Sequence, residues 1–170
     1  ANINIKSQIQ VDNLNYLLSD HNLDDGGYID TWFGYQSSPW NDANISAQRY
    51  DANNIKVGDE ITYVTFPGGT QELHPAATGI SNNGFVIVWR TYPSNYEGDI
   101  YAQIFDSDDN RIGNAFQVNT ETSTSTLELS PVVNSLDNGG FVVVWDWFGI
   151  GLASAWERFR IGLGQFGIAS

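Results

Sequence analysis

The residues best suited to holding a hard cation stand in one short run, "DSDDNRIG", from Asp106 to Gly113. Oxygen-bearing side chains at alternate positions, Asp106, Asp108 and Asn110, can wrap Ca²⁺, which takes about six to eight oxygen ligands. The run departs from an EF-hand loop in two ways. The distal bidentate acid would fall near Val118 and is missing, and Arg111 stands where that loop has its glycine. The plainer alternative is an Asp/Asn-rich hairpin turn. "DANN", Asp51 to Asn54, offers fewer ligands still. Ca²⁺ is the one cofactor these residues imply.

Aromatic residues make the second chemical group. Trp40 lies in "SSPWND", Tyr92 and Tyr96 in "TYPSNYEGD", and Trp147 with Phe148 follows the third central strand, all expected in the long loop after that strand of each unit. Sugars stack their apolar faces on such rings while nearby Asn and Asp accept hydroxyls. The alternative is that these rings pack between neighbouring units or chains. Nucleophilic and acid–base chemistry has little to draw on. With two histidines, His21 and His74, no Cys and no Gly-x-Ser-x-Gly elbow, neither a triad nor a histidine-rich metal site assembles. The acids cluster in turn-like segments, so the chain is expected to have no catalytic residues and not to be an enzyme. His74 precedes Pro75 as Ser130 precedes Pro131, and is expected at the entry to a strand.

The elements that must position these groups are repeated. "NNGFVIVWRTY" (Asn82 to Tyr92) and "NGGFVVVWDWF" (Asn138 to Phe148) nearly coincide, and "DDGGYIDTWFGY" (Asp24 to Tyr35) is a more worn copy. Their tryptophans, Trp32, Trp89 and Trp145, fall 57 and 56 residues apart, which marks a repeat protein. These three are expected in the core. "ISAQRYDANNIKVGDEI" (Ile45 to Ile61) lies over "IYAQIFDSDDNRIGNAF" (Ile100 to Phe116) at a matching offset. Runs of β-branched and aromatic residues predict buried strands. "NNG", "DDGG", "DANN" and "DSDDN" predict tight turns between them. The segment Val11 to His21 is read as a worn first strand in preference to a helix.

The expected fold is therefore all-β, with three four-stranded antiparallel units resembling propeller blades. Since closed propellers carry about four to eight blades, the array is expected to be open or completed by oligomerisation. The units divide as residues 1–12, a free N-terminal strand; 13–66, unit one; 67–121, unit two; and 122–170, a shortened unit three. Ile9-Gln10-Val11-Asp12 lies over Phe116-Gln117-Val118-Asn119, so the first segment reads as a fourth strand without a sheet. Ile5, Ile9 and Val11 are expected to pair with an exposed edge, and copies of the same chain are the expected partner.

Composition narrows the remaining classes. A chain of 170 residues with 41% hydrophobic and 14% aromatic content can bury a core. The absence of Cys removes disulfides and thiolate sites. A net charge of −13 repels a phosphate backbone and argues against nucleic-acid partners. No apolar run approaches the ~18 residues of a membrane-spanning helix. An initial Ala with no Met anywhere is expected of a processed or excised chain.

The blocks Asp/Asn-Gly-Gly-Phe-Val-Val-Val-Trp, Tyr-Ala-Gln-x-Phe-Asp and Phe-Gln-Val-Asn, best preserved between Asn83 and Asn119 and again at Asn138 to Trp145, resemble the tandem repeats of large bacterial RTX-type surface adhesins and secreted calcium-binding proteins. The resemblance implies a secreted or cell-surface β-repeat module that is structural or adhesive and self-associates. A glycan-binding repeat lectin and a calcium-stabilised spacer are the alternatives. Asp30, inside the central strand of unit one, and the shortened last unit depart from that pattern.

Overall fold

Apolar and β-branched runs lie between turns rich in Gly, Asn and Asp, and among the described residues the backbone follows that pattern into eleven strands. In this computed structural model the described residues are 16–35, 43–63, 71–92, 98–120, 126–149 and 158–164. Sheet A comprises β1 (Tyr16–Asn22), β2 (Tyr28–Tyr35), β3 (Ala43–Tyr50) and β4 (Lys56–Tyr63), hydrogen-bonded in that order. Sheet B repeats the arrangement with β5 (Gln71–Ile80), β6 (Gly84–Tyr92), β7 (Ile100–Phe105) and β8 (Arg111–Gln117). Sheet C has β9 (Thr126–Ser135), β10 (Phe141–Gly149) and β11 (Arg158–Gly164). All pairings are antiparallel. The expectation of three four-stranded units is thus corrected for the third, which has three strands among the described residues.

The sheets stack face to face. Leu23, Ile29, Phe33, Ile45 and Ala47 of sheet A meet Ala77, Phe85, Ile87, Trp89 and Phe105 of sheet B. On the other side of sheet B, Ala76, Ile80, Val86, Val88, Ile100 and Ala102 meet Val133, Phe141, Val143 and Trp145 of sheet C. This explains the unbroken apolar run in β6. Phe85, Ile87 and Trp89 face one neighbour while Val86 and Val88 face the other, so the strand is buried on both sides.

Turn chemistry recurs as faithfully as the core. Four hairpins use one five-residue design: Leu23 N donates to Gly27 O, Asp51 N to Ile55 O, Asp106 N to Asn110 O, and Leu136 N to Gly140 O. The fourth residue of each is left-handed: Gly26, Asn54, Asp109 and Gly139, with φ of 82°, 63°, 63° and 81°. Glycine, asparagine and aspartate are the residues that tolerate this region. Ser81–Asn83 supplies a fifth turn, with Asn82 and Asn83 left-handed.

A second device explains the shared Ala-Gln. Opposite Gln48 the partner strand carries extra residues, since Ala47 pairs with Ile61 and Arg49 with Val57. Gln103 stands in the same irregularity, between the pairs Ala102–Phe116 and Ile104–Ile112. Gln48 Nε2 donates to the carbonyls of Arg49 and Val57, and Gln103 Nε2 to those of Ile104 and Ile112. A buried amide thus satisfies carbonyls that the bulge removes from the ladder.

Candidate functional site

An antiparallel meander sends alternate connections to opposite ends. The five tight turns lie at one end of the stack. At the other lie the chain ends of β2, β4, β6, β8 and β10 and the starts of β3, β5, β7, β9 and β11. The sheets are stacked in the same sense, because Asp25 bonds Asn83 at the turn ends of sheets A and B while Phe33 stacks on His74 near the other, and in the turns of sheets C and B a Cβ on Gly139 would fall 2.6 Å from Ser81 Oγ. Every long connection therefore begins and finishes at one end, where binding residues carried by loops on a rigid scaffold gather.

That end is marked by a bulge in the first strand of every sheet. Leu17 pairs with Trp32 and Ser19 with Thr31, leaving Leu18 as the extra residue. In β5, Leu73 pairs with Arg90 and Ala76 with Val88, so His74 and Pro75 together oppose Trp89. In β9, Leu129 pairs with Asp146 and Val132 with Val144, so Ser130 and Pro131 oppose Trp145. The repeated tryptophan is the residue opposite the bulge. Trp89 and Trp145 are buried.

The bulge holds two side chains in an unfavourable backbone region. His74 has φ of 53° and Ser130 of 44°. Neither is glycine, and each precedes a proline, which restricts its backbone further. Such conformations cost about 1–3 kcal/mol each and cluster at functional sites. His74 is therefore not a strand-entry residue, as its place before proline suggested, but lies inside β5. Its ring stacks on Phe33 at 5.7 Å between centroids. Burial, then the nearby Arg90 guanidinium, hold the imidazole below its ordinary value of 6.5. At neutral pH the ring is uncharged, with one nitrogen able to donate and the other to accept. Ser130 is exposed on the neighbouring first strand, and β9 packs against β5. The sequence marked the His-Pro and Ser-Pro pairs at one repeat position, but not the left-handed conformation that they share.

Beside them a satisfied polar scaffold closes sheet B. Thr91 N donates to Asp99 O at 2.8 Å and Asp99 N to Thr91 Oγ1 at 3.2 Å. Asn119 accepts from Ile100 N at 2.9 Å and donates to Asp99 Oδ1 at 2.9 Å. Among the aromatic candidates, Tyr92 ends β6, and Trp147 and Phe148 lie in the last three residues of β10. All three are strand positions at this same end and not loop residues as expected, because each central strand continues past its tryptophan. Trp40, Tyr96, Ile5, Ile9 and Val11 lie outside the described residues.

The cation candidates are at the opposite end, in the β7–β8 turn. Asp106 Oδ1 accepts from the backbone of Asp108 (2.9 Å) and Asn110 (2.8 Å), and Oδ2 from Asn110 Nδ2 (3.2 Å). Asp51 has the same wiring, its Oδ1 accepting from Asn53 N and Ile55 N at 2.8 Å. These oxygens cap turns. No group of three or more metal-ligating side chains occurs among the described residues. Hydrogen bonding holds Asp51 and Asp106 below the ordinary 3.8, with the backbone N–H of Ile55 and of Asn110 as the leading cause. Asp25 is held low likewise, first by the N–H of Gly27.

A lowered carboxyl contributes stability that is present above 3.8 and lost as pH falls through its folded value. Asp109 acts in the opposite sense, because desolvation raises it. Among the described residues three lowered carboxyls against one raised predict acid lability below about pH 4, added to the stability already lost as His74 is protonated. Asn at positions 51 and 106 keeps the capping oxygen but removes the titration. The double variant Asp51→Asn/Asp106→Asn is expected to show a flatter fall in melting temperature between pH 5 and 2 than the parent chain. In both proteins the melting curve is expected to be the same with calcium as with EDTA.

With this geometry in place, the likeness to solved structures is informative. No protein-family model and no curated protein sequence matches the chain. A Hadza microbial sialidase superposes with a TM-score of 0.60 at 11% identity, over 79% of this chain and 32% of that one. The endo-arabinase from Bacteroides thetaiotaomicron gives 0.56 at 13%, over 90% and 57%. The GH93 α-L-arabinofuranosidase of Fusarium graminearum, solved with arabinobiose, gives 0.57 at 12%, over 87% and 45%. The fold is propeller-like. The chain spans from about a third to somewhat over half the length of these proteins. The expectation that it is not an enzyme is overturned, because the fold is one on which sialidase, arabinase and arabinofuranosidase activities are built. No helix among the described residues is long and apolar enough to cross a membrane.

Proposed function

We propose that this chain is a carbohydrate-recognising segment of a β-propeller, with its sugar site at the end that carries the long connections. The observation that carries the reading is the row of bulged first strands, two of which hold His74 and Ser130 in left-handed conformations beside the strand positions of Tyr92, Trp147 and Phe148. A neutral imidazole and a hydroxyl match sugar hydroxyls, and aromatic rings match the apolar faces of a pyranose or furanose. The names of the solved neighbours support the same ligand class, as sialidase, arabinase and arabinofuranosidase all act on sugars. Fold alone does not transmit activity, so the claim rests on the site. Repetition of the bulge would let several weak sites act together. The calcium-spacer alternative gains no support, since the oxygens of Asp106 are used within its own turn.

The test is calorimetric titration with arabinobiose and with sialyllactose. At least one is expected to bind, and Trp147→Ala is expected to weaken that binding about tenfold or more. Ser130→Gly relieves the left-handed strain at an exposed position, so it is expected to keep or raise the melting temperature while weakening the same binding. Failure of both sugars to bind, or binding untouched by either substitution, would remove this site from consideration.

A further inference from the structure

We propose that residues 4–12 of a second copy of this chain add to β11 as the fourth strand of sheet C. Among the described residues β11 is the edge of a three-stranded sheet, whereas sheets A and B carry β4 and β8 at the equivalent position.

The amino-terminal segment has the matching sequence. Ile5, Ile9, Gln10 and Val11 fall in one register with Ile112, Phe116, Gln117 and Val118 of β8, and Asp12 with Asn119. β7 and β11 hold equivalent places, Ala102 opposite Val88 and Ile161 opposite Val144. Carrying over the pairs Ala102–Phe116 and Ile104–Ile112 sets Ile9 opposite Ile161 and Ile5 opposite Leu163. At the strand end, Asn119 bonds Asp99 in sheet B. In the added strand those two positions are Asp12 and Arg158, of opposite charge. Apolar and charged positions therefore agree in a single register, and register is what a strand addition must specify.

The donor is another molecule. Between Asp12 and Tyr16, where β1 begins, the chain spans at most about 14 Å when fully extended. Sheet C lies two sheet spacings from sheet A, about 20 Å at ~10 Å per layer. A strand tethered to sheet A of its own chain therefore falls short.

The absence of cysteine gives a clean test. The full chain carrying Ile9→Cys and Ile161→Cys is expected to oxidise to covalent species of at least twice the chain mass. Ile9→Cys with Leu163→Cys, two residues out of register, is expected to cross-link several-fold less. The unmodified chain should show at least twice its formula mass by light scattering, and excess peptide of residues 3–12 should return it to monomer. A monomeric mass for the unmodified chain would overturn the proposal. So would an intrachain disulfide at monomer mass, which would show that the strand is donated in cis, or equal cross-linking in both registers.

Discussion

Trp89→Ala is expected to destabilise the chain by about 3–5 kcal/mol, the range for removing a fully buried tryptophan. For a domain of this size that is a fall in melting temperature of roughly 6–20 °C. Three contributions lie at this one position. The indole is 0% exposed between sheets A and B, so its removal leaves a cavity in the cluster that joins them. It stacks on Tyr101 at 6.3 Å between centroids. It also stands opposite His74 and Pro75 in the register of the bulge. Trp89→Phe keeps much of the apolar volume and is expected to recover at least half of the loss. Thermal melts of the two variants beside the parent would decide the point. A loss under about 1 kcal/mol for alanine would mean that the bulge holds its own geometry.

Arg49→Ala is expected to cost about 3 kcal/mol, because it breaks a buried ion pair from one side. Arg49 is only 4% exposed and reaches from β3 into the turn end of sheet B. Its guanidinium donates to the carbonyls of Ser107 and Asn83, lies 5.6 Å from the Phe85 ring centroid, and pairs with Asp109 at 3.5 Å. Asp109 in turn covers Gly58, where a Cβ would come within 2.6 Å of its Oδ2. The pair is a clamp between two sheets. Lysine has one compact charge and no planar fork, so Arg49→Lys is expected to rescue less than half of the loss. Asp109→Asn should cost less than Arg49→Ala. Asparagine tolerates the left-handed turn, and the carboxylate it replaces is already disfavoured by burial, with Arg49 only partly offsetting that penalty. Melts of the three single variants test this order, and an Asp109→Asn loss equal to that of Arg49→Ala would refute it.

The repeat was legible because each unit uses the same side chains for the same physical tasks. Gly26 and Gly139 fill one left-handed turn position, Gln48 and Gln103 one wide bulge, and Trp32, Trp89 and Trp145 the place opposite one narrow bulge. Local backbone demands of this kind leave the same letters in every copy. The Asp/Asn turns were legible as turns for the same reason, and Asp106 serves a cap because its nearest donors are its own backbone neighbours. Arg49 was not legible. Its partners Asn83, Ser107 and Asp109 lie 34 or more residues away, and nothing at Ile104, its counterpart in the next unit, signals a cation. His74 was misplaced because a proline usually marks a strand's start, and only the register against β6 shows the strand continuing through it.

By itself, the amino-acid sequence determined the strands, their tight turns, the order of the units and the residues that fill the core, because those follow from period-two patterning and from the φ that each turn requires. Tertiary structure decided which faces meet, which end collects the long connections, and which residues carry strain. Those depend on pairing between strands whose partners are set by stacking, and stacking brings together side chains that no local spacing relates. The site at the bulged strands belongs to that second class.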